Sequence, residues 1–309
     1  MGKCKEFYFP SSDGKTSIHA AAWMPDGTPV GVLQIAHGVA EYALRYAPFA
    51  EYLCEQGFAV VANDHIGHGQ SVAEGAPPLY FGRKDGWRHV VDDMYALRSQ
   101  TCALFPALPY FLLGHSMGSF LARTYLIRYP GTVDGAILMG TGQQDARTLA
   151  LGRLAATLIG RRHGFDRFNP TVHALAFGAY NKPFAPTRTD YDWLSANSKN
   201  VDSYIADPLC GGDATVGLFL DMLGGIAFIE KRRNLGKMDR TTPVLFVSGA
   251  MDPVGDLSVG VSRAYRSFVD AGAKDVSIKL YPGLRHEILN ETERETVYAD
   301  ILAWLQARM

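Results

Sequence analysis

The sequence predicts an α/β fold in which a mostly parallel central sheet carries helices on both faces. From Gly31 onward, apolar strand-like runs alternate with helix-like runs, which is the chain order of parallel βαβ units. The alternation stops after residue 142 and resumes near residue 240. We therefore expect residues 1–142 and 240–309 to form the core, and residues 143–239 to form a helical cap inserted between two core strands.

The chain begins with two short strands, 6–9 and 17–24, which the turn Ser12-Asp13-Gly14-Lys15 joins as an antiparallel hairpin. Each later strand is a short apolar run that ends at glycine or polar residues, and each helix has apolar residues at helical spacing. The predicted later strands are 31–36, 58–62, 109–113, 133–139, 243–248 and 276–281. The predicted core helices are 45–55, 87–104, 119–129, 258–271 and 291–308, and those of the insertion are 147–159, 172–177, 191–194, 201–205 and 215–231.

The composition is that of an ordinary globular protein: 309 residues, 47% hydrophobic and 20% charged, with a formal net charge of −1. No run of lysine or arginine forms a basic patch, so we expect no nucleic-acid partner. The four cysteines are scattered, without the C-x-x-C spacing of a metal or redox site, and they favour a reducing compartment. No signal-peptide-like segment opens the sequence, and no apolar run reaches the ~18 residues of a membrane span. We therefore expect a cytoplasmic protein without a metal site.

The sequence Gly114-His115-Ser116-Met117-Gly118 fits the pattern G-x-S-x-G of a nucleophile elbow. It follows a predicted strand and precedes a predicted helix, which is the context that this pattern requires. In such a turn the serine hydroxyl is exposed at the strand end, and a side chain at either glycine would collide with neighbouring backbone. We predict that Ser116 is a nucleophile; the alternative is a glycine-rich turn with an ordinary serine.

Two further strand ends carry the residues that a serine nucleophile needs. Asp252 and His286 follow the last two predicted strands of the core. A histidine can take the serine proton and return it to a leaving group, and an aspartate can hold the imidazole in the required tautomer. The chain order Ser116, Asp252, His286 is that of the α/β-hydrolase triad. The alternative acids are Asp145 and Asp256.

The backbone N–H groups of Val39 and Met117 are the predicted oxyanion hole. Met117 begins the helix after the serine, where N–H groups lack intrahelical acceptors. Val39 follows His37-Gly38, at the end of the strand beside the elbow. Losing one such donor typically costs ~3 kcal/mol in the transition state. His65 and His68, in the loop after the predicted strand 58–62, are expected to be structural.

Four motifs together resemble the monoacylglycerol lipase and lysophospholipase branch of the serine α/β-hydrolases. They are 37–46 (HGVAEYALRY), 64–71 (DHIGHGQS), 114–118 (GHSMG) and 286–291 (HEILNE). They occur in the family's order and span nearly the whole chain. The resemblance implies hydrolysis of a lipid-like ester without a cofactor, with the insertion as a cap over the acyl site. Two positions depart from the family pattern: Tyr42 stands where His is usual, and Ile66 where Arg is frequent.

The run from residue 217 to residue 229 is unusually apolar for a cap helix. Phe219, Leu220 and Leu223 are candidate contacts for an acyl chain, and the same run is a candidate for transient contact with a membrane surface. Ordinary packing of the cap on the core is the alternative explanation. The expected partner is a small-molecule ester or lipid.

Two other functions also fit the sequence. An aminopeptidase of the same fold, similar to proline iminopeptidases, would need carboxylates near the elbow to bind the free amine of its substrate. The cap offers Asp190, Asp192, Asp202, Asp207 and Asp221. A non-catalytic ligand sensor on a hydrolase scaffold is the third alternative, because a fold alone does not determine function.

Overall fold

One sheet forms the centre of the protein, whose computed structural model describes residues 3–309. Its eight strands in this range are β1 (Lys3–Pro10), β2 (Ser17–Met24), β3 (Gly31–Ala36), β4 (Phe58–Asn63), β5 (Tyr110–His115), β6 (Gly135–Met139), β7 (Val244–Gly249) and β8 (Val276–Tyr281). Their order across the sheet is β1-β2-β4-β3-β5-β6-β7-β8. The pairs β1–β2 and β2–β4 are antiparallel and the others are parallel. The predicted α/β fold with a mostly parallel sheet is therefore confirmed.

Helices connect the strands and fill the insertion. The α-helices of the described residues are α1 (Ala47–Glu55), α2 (Gly86–Leu104), α3 (Met117–Arg128), α4 (Ala146–His163), α5 (Pro170–Phe177), α6 (Ser198–Ala206), α7 (Val216–Ile229), α8 (Arg232–Leu235), α9 (Val259–Asp270) and α10 (Arg294–Gln306). Short 3₁₀ helices cover Ala43–Tyr46, Lys182–Phe184 and Asp192–Leu194. No helix within residues 3–309 combines the length and apolar character needed to cross a bilayer.

Two apolar clusters lie on opposite faces of the sheet. Along β5, Tyr110 and Leu112 belong to one cluster, and Phe111 and Leu113 belong to the other, because successive side chains of a strand point to opposite faces. Helices α2, α3, α7 and α9 contribute to the first cluster, and α1 and α10 to the second. Every residue of β3 to β7 is buried, as parallel strands covered on both faces require.

The insertion between β6 and β7 contains α4 to α8. Within the described residues it has no strand, only an isolated bridge between Phe168 and Thr215. Helix α7 packs against both α4 in the insertion and α3 in the core. Leu218, Ile226 and Ile229 of this helix are buried. The apolar character of α7 therefore reflects its position as the layer through which the insertion rests on the core.

Most predicted helix boundaries differ from the structure by a few residues, and two of the differences have a clear local cause. The predicted helix 215–231 divides into α7 and α8, because Lys231 has an extended backbone and the side chain of Asn234 donates to the carbonyl of Phe228 near the end of α7. Helix α1 begins two residues after Arg45, which belongs to the preceding 3₁₀ turn. Pro48 lies in the first turn of α1, where the missing N–H costs no hydrogen bond.

Candidate active site

Ser116 lies on the sharp turn between β5 and α3. Its backbone has φ 53° and ψ −120°, a sparsely populated conformation that costs a residue with a side chain about 1–3 kcal/mol. The N–H of Ser116 donates to the carbonyl of Met139 at the end of β6 (2.9 Å). The neighbouring strand thus stabilises a turn that presents the serine side chain, 8% exposed, at the edge of the sheet.

Close approach of the backbone requires both glycines of the G-x-S-x-G pattern. A Cβ on Gly118 would lie 2.0 Å from the carbonyl oxygen of Ala36, at the end of β3. A Cβ on Gly114 would lie 2.2 Å from the carbonyl oxygen of Gly118. The collisions expected from the sequence are present, with the neighbouring strand in one case and with the following helix in the other.

His286 and Asp252 meet at the same edge of the sheet, because the carboxyl ends of β7 and β8 lie side by side. Nδ1 of His286 lies 3.0 Å from each carboxylate oxygen of Asp252. Asp252 is fully buried, and it also accepts from the N–H of Val254 (2.9 Å) and the hydroxyl of Ser248 (3.3 Å). Since the carboxylate oxygens accept, Nδ1 is the donor in this contact, and in that tautomer Nε2 carries the lone pair.

The two alternative acids lie away from this histidine. Asp145 is exposed and caps α4, where it accepts from the N–H of Thr148 (3.0 Å). Asp256 is exposed in the turn before α9. Among the residues described, Asp252 is therefore the carboxylate that is hydrogen-bonded to the ring of His286.

Gly140 and Trp193 also adjoin His286, and neither is among the predicted site residues. Gly140, directly after β6, has φ +59°, and a Cβ there would lie 3.1 Å from Cε1 of His286. The ring centroid of Trp193 lies 5.1 Å from that of the imidazole. A signal for the glycine exists in the pattern Gly-Thr-Gly directly after a strand. The tryptophan stands in an irregular segment of the insertion, which offers no periodicity to read.

Val39 lies on the loop beside Ser116, and Met117 directly follows Ser116. The strands β3 and β5 are neighbours, so the loop after β3 lies next to the elbow, and a Cβ on Gly38 would lie 3.1 Å from Cβ of Ser116. Met117 is the first residue of α3, so its N–H has no acceptor within the helix. The N–H of Val39 has no hydrogen-bond acceptor among residues 3–309. Both N–H groups are thus available to a substrate oxygen.

A buried charged cluster lies behind these loops. Arg45 donates to Glu41 (2.7 Å) and to both oxygens of Glu287 (2.9 and 3.0 Å). Glu41 also accepts from the N–H of Gly38 (2.6 Å) and lies 3.0 Å from Nδ1 of His115. Burial would raise the pKa of both carboxyls, but Arg45 lowers the pKa of Glu287 and His115 lowers that of Glu41 well below its usual range. The cluster joins the loop after β3, the elbow and the loop after β8 through ionised carboxylates.

Two chambers meet at Ser116. The apolar chamber has a volume of about 270 Å³. The second has a volume of about 350 Å³, and we call it the polar chamber because its wall carries carboxylates and histidines among apolar residues. Val39, Ser116, Phe177 and Trp193 line both. The apolar chamber is otherwise walled by residues that include Met117, Phe120, Leu149, Phe219, Leu223 and Ile226. The polar chamber is otherwise walled by residues that include Glu41, Asp190, Tyr191, Tyr204, His286 and Glu287.

Of the three predicted acyl contacts, Phe219 and Leu223 line the apolar chamber and Leu220 does not. Phe219 and Leu223 are four residues apart and share one face of α7, whereas Leu220 is rotated by about 100° from Phe219. Leu220 and Asp221 instead line a separate cleft on another side of α7, together with Trp87. Leu220 thus lines neither of the two chambers at Ser116.

Together these features are the components of nucleophilic acyl transfer. They are a strained serine, a histidine with a free Nε2 in a chamber that the serine also lines, and two N–H groups beside that serine. An apolar and a polar chamber extend from the same point. Such a site can accept a substrate that has one part of each kind.

Comparison with known proteins agrees with this geometry. A family model described as serine aminopeptidase, S33 matches residues 27–293. A monoacylglycerol lipase from Mycolicibacterium smegmatis is 30% identical over 303 residues, which cover 96% of this chain and 95% of that protein. The monoglyceride lipase of Homo sapiens is 30% identical over 300 residues, covering 93% of this chain and 86% of that protein. The structure of a thermostable carboxyl esterase from Bacillus coagulans, in complex with glycerol, matches with a TM-score of 0.91 at 27% identity over 99% of both chains. The chain therefore belongs to the serine aminopeptidase S33 family, as a monoacylglycerol lipase-like serine hydrolase with the α/β-hydrolase fold.

Proposed function

We propose that the protein hydrolyses esters of single acyl chains, with monoacylglycerols as the preferred class, through an acyl-enzyme on Ser116. The observation that carries the proposal is the pair of unlike chambers that meet at this serine. A monoacylglycerol has the same two parts, an apolar chain and a small polar alcohol, joined at the ester. The relative named a monoacylglycerol lipase and the similar esterase solved with glycerol support this substrate class.

In the proposed first step, Ser116 attacks the ester carbonyl while Nε2 of His286 takes the hydroxyl proton. Asp252 holds the ring in the Nδ1–H tautomer and stabilises the imidazolium that forms. The N–H groups of Val39 and Met117 bind the oxyanion, and the N-terminus of α3 adds its partial positive charge. The ester C–O bond then breaks, and His286 gives its proton to the departing alcohol.

In the second step, His286 takes a proton from a water molecule, whose oxygen attacks the acyl carbon. The bond to Ser116 breaks, the serine regains its proton from His286, and the fatty acid leaves. The two chambers are assigned by the position of this histidine. The group that protonates the alcohol must lie on the alcohol's side, and His286 lines only the polar chamber. The acyl chain therefore occupies the apolar chamber.

Most carboxylates of the site are unavailable to the free amine of an aminopeptidase substrate, and Asp190 is the exception. An aminopeptidase needs an unpaired carboxylate for the substrate amine, but Glu41 and Glu287 in the polar chamber are both paired with Arg45. Among the described cap aspartates, only Asp190 lines this chamber. The others are engaged or distant: Asp192 accepts from Thr189, Asp202 pairs with Arg188, Asp207 accepts from Tyr42, and Asp221 lines the separate cleft.

Hydrolysis of monoacylglycerols of increasing chain length tests the proposal. We expect kcat/KM to rise with chain length by up to about 0.8 kcal/mol of binding per methylene, until the apolar chamber is full. Ser116→Ala should abolish the activity without changing the fold. A wild-type protein that folds but hydrolyses no acyl ester would refute the proposal in favour of a ligand sensor. Preference for aminoacyl amides would refute it in favour of an aminopeptidase.

We further propose that the outer face of α4 contacts the lipid surface. The sequence favours α7 for this contact, but α7 is largely buried. Leu151, Leu154 and Leu158 of α4 are 68%, 55% and 56% exposed and lie at helical spacing. Exposed arginines of the same helix, suited to anionic headgroups, are Arg147, Arg153, Arg161 and Arg162. Leu175 is 68% exposed and also lines the apolar chamber, so the chamber adjoins an apolar outer surface.

Vesicle binding tests this contact. Because burying a leucine is worth roughly 1.5–3 kcal/mol, replacing Leu151, Leu154 and Leu158 by serine should weaken binding to phosphatidylglycerol-containing vesicles by more than about tenfold. Hydrolysis of a short water-soluble ester should be unchanged. Leu104→Ser, at a leucine that is 73% exposed at the end of α2, is the matched control and should leave vesicle binding unchanged. Equal binding of the triple variant and the wild type would contradict the assignment.

Free thiols support the proposed cytoplasmic location. Cys4, Cys54, Cys102 and Cys210 are all unpaired, and Cys4 is exposed. Proteins in oxidising compartments seldom retain several unpaired cysteines in this way.

A further inference from the structure

His37 is a fully buried histidine directly before the loop that carries Val39. Its Nδ1 lies 2.7 Å from the carbonyl oxygen of Gly38, and its Nε2 lies 2.9 Å from the backbone nitrogen of His65. The ring also packs on the ring of His65, with 4.1 Å between the centroids. Proposed catalysis by Ser116, His286 and Asp252 makes no use of this residue, so its two hydrogen bonds call for an explanation.

The two partners determine the tautomer of His37. A carbonyl oxygen can only accept, so Nδ1 must carry the proton that is donated to Gly38. A backbone N–H can only donate, so Nε2 must be unprotonated to accept from His65. Both contacts are satisfied by one neutral ring and by no other protonation state. Burial lowers the pKa of His37, which agrees with a neutral ring.

The hydrogen bond from Nδ1 acts on the peptide unit that contains the proposed oxyanion donor. The carbonyl of Gly38 and the N–H of Val39 belong to one trans peptide, in which the two groups point in opposite directions. A carbonyl held at His37 therefore directs the N–H away from His37. Val39 lines both chambers together with Ser116, so the free side of this peptide faces the site where the oxyanion forms.

We propose that His37 is a positioning residue that aligns the Gly38–Val39 peptide so that the N–H of Val39 points at the oxyanion; this inference rests on the proposed ester hydrolysis. The preceding peptide is held separately, because the N–H of Gly38 donates to Glu41 (2.6 Å). The loop is thus fixed on both sides of Gly38. A shared metal ion does not explain the grouping of His37 with its neighbours, since no group of three potential ligands in the described part of the chain is arranged to hold one.

A pair of variants separates alignment from packing. In His37→Asn the amide nitrogen can occupy the position of Nδ1 and donate to Gly38. In His37→Gln the amide reaches only the position of Nε2, so the carbonyl of Gly38 loses its partner. Both variants lose the ring stacking on His65. Because removing an oxyanion donor costs about 10²–10³ in kcat, we expect His37→Gln to lose about 10- to 100-fold in kcat with KM nearly unchanged. His37→Asn should recover most of this loss.

An alkyl trifluoromethyl ketone, whose adduct with the serine carries an oxyanion, should bind His37→Gln more weakly by a factor similar to the loss in kcat. Equal kcat in the two variants, or a loss that follows their urea unfolding midpoints, would overturn the role of His37. Ser116→Ala tests the proposed function independently. If Ser116→Ala kept full activity, no oxyanion would form on an acyl-serine, and both the proposed function and this inference would fail. If Ser116→Ala lost activity, the comparison of the two His37 variants would decide the inference.

Nitrogen-15 NMR of the full-length wild-type protein tests the same proposal without any substitution, and it remains decisive if both variants fail to fold. The Nδ1 resonance of His37 should be that of a protonated nitrogen and the Nε2 resonance that of an unprotonated one. An Nε2–H tautomer, or an imidazolium at pH 8, would overturn the proposal, because neither can donate to Gly38 and accept from His65 at once.

Discussion

At the scale of single residues, Gly140 leaves room for the proposed catalytic base because glycine has no Cβ. The imidazole of His286 packs directly over it, and φ is +59°. Gly140→Ala should therefore displace the ring and lower kcat by at least about tenfold, since misplacement by about 1 Å can cost 10²-fold. The change is measured as kcat on a short ester, together with the free energy of unfolding.

The matched control for this change is Gly131→Ala. Gly131 also has a left-handed backbone, with φ +70°, but the nearest atom to an added Cβ is 3.5 Å away, on Asp239. Both substitutions impose the left-handed strain of about 1–2 kcal/mol, and only the one at Gly140 should reduce kcat. If both variants kept the wild-type kcat, the packing of His286 on Gly140 would not matter for catalysis.

Arg45 is the second residue whose environment permits a sharp prediction. It is 10% exposed and holds Glu41 and Glu287, which are 5% and 3% exposed. Arg45→Met keeps much of the side-chain volume but removes the guanidinium from two buried carboxylates, of which Glu41 keeps His115 as a partner and Glu287 loses its ion pair. This should cost roughly 3–5 kcal/mol of unfolding free energy. Arg188→Met, at an exposed ion pair with Asp202, should cost less than about 1 kcal/mol. Urea unfolding measures the free energy of unfolding of both variants. Equal losses of this free energy would contradict a structural role for the cluster.

At the scale of elements, two faces of α7 line different cavities, and two leucines three residues apart distinguish them. Leu223 lines the apolar chamber, and Leu220 lines the separate cleft. Leu223→Trp should therefore fill part of the chamber and move the preferred acyl chain to a shorter length. Leu220→Trp should leave the chain-length profile unchanged. Profiles of kcat/KM across a monoacylglycerol series make the comparison, and a shift in the Leu220 variant alone would reverse the assignment of faces.

The elements of the core follow from local patterns in the sequence, because parallel strands buried on both faces are continuous apolar runs. The strands Gly31–Ala36 and Val276–Tyr281 have the predicted boundaries. The insertion is different, since its contacts are made by tertiary packing. Nothing in the run from residue 217 to residue 229 distinguishes Leu220 from Leu223 until the position of α3 beneath the helix is known. The break between α7 and α8 likewise depends on a hydrogen bond of the Asn234 side chain. No glycine or proline marks this break in the sequence.

At the scale of the whole molecule, residues far apart in the sequence converge at one sheet edge because parallel strands end there together. This rule makes Ser116, Asp252 and His286 predictable as a group, since each follows its own strand. The rule does not extend to side chains that reach the site from the insertion. Trp193 lies in a 3₁₀ turn of the insertion, and its contact with the imidazole arises only when the insertion folds over the sheet.

The contact between insertion and core also carries a titratable group, which permits a test of how they fit together. Asp221 of α7 lies against the start of α2: a Cβ on Gly86 would be 2.6 Å from its Oδ2. Burial and, secondarily, nearby Asp85 raise the pKa of Asp221 from 3.8 to about 7. The folded protein therefore retains a proton that the unfolded chain has lost at the same pH. The stability that this group contributes is complete below pH 3.8 and is lost as the pH rises through about 7.

Asp221→Asn removes this dependence, because the amide is neutral at every pH. Its free energy of unfolding, relative to the wild type, should rise between pH 4 and pH 7 by up to about 1.4 kcal/mol per pH unit. Urea unfolding of both proteins at pH 5, 6, 7 and 8 measures the difference. Asp85→Asn, which leaves the burial of Asp221 in place and suits the left-handed backbone of residue 85 (φ 56°), should keep a weaker form of the wild-type dependence. A difference between Asp221→Asn and the wild type that is the same at pH 5 and pH 8 would mean that water reaches this carboxyl and that α7 packs less closely on the core.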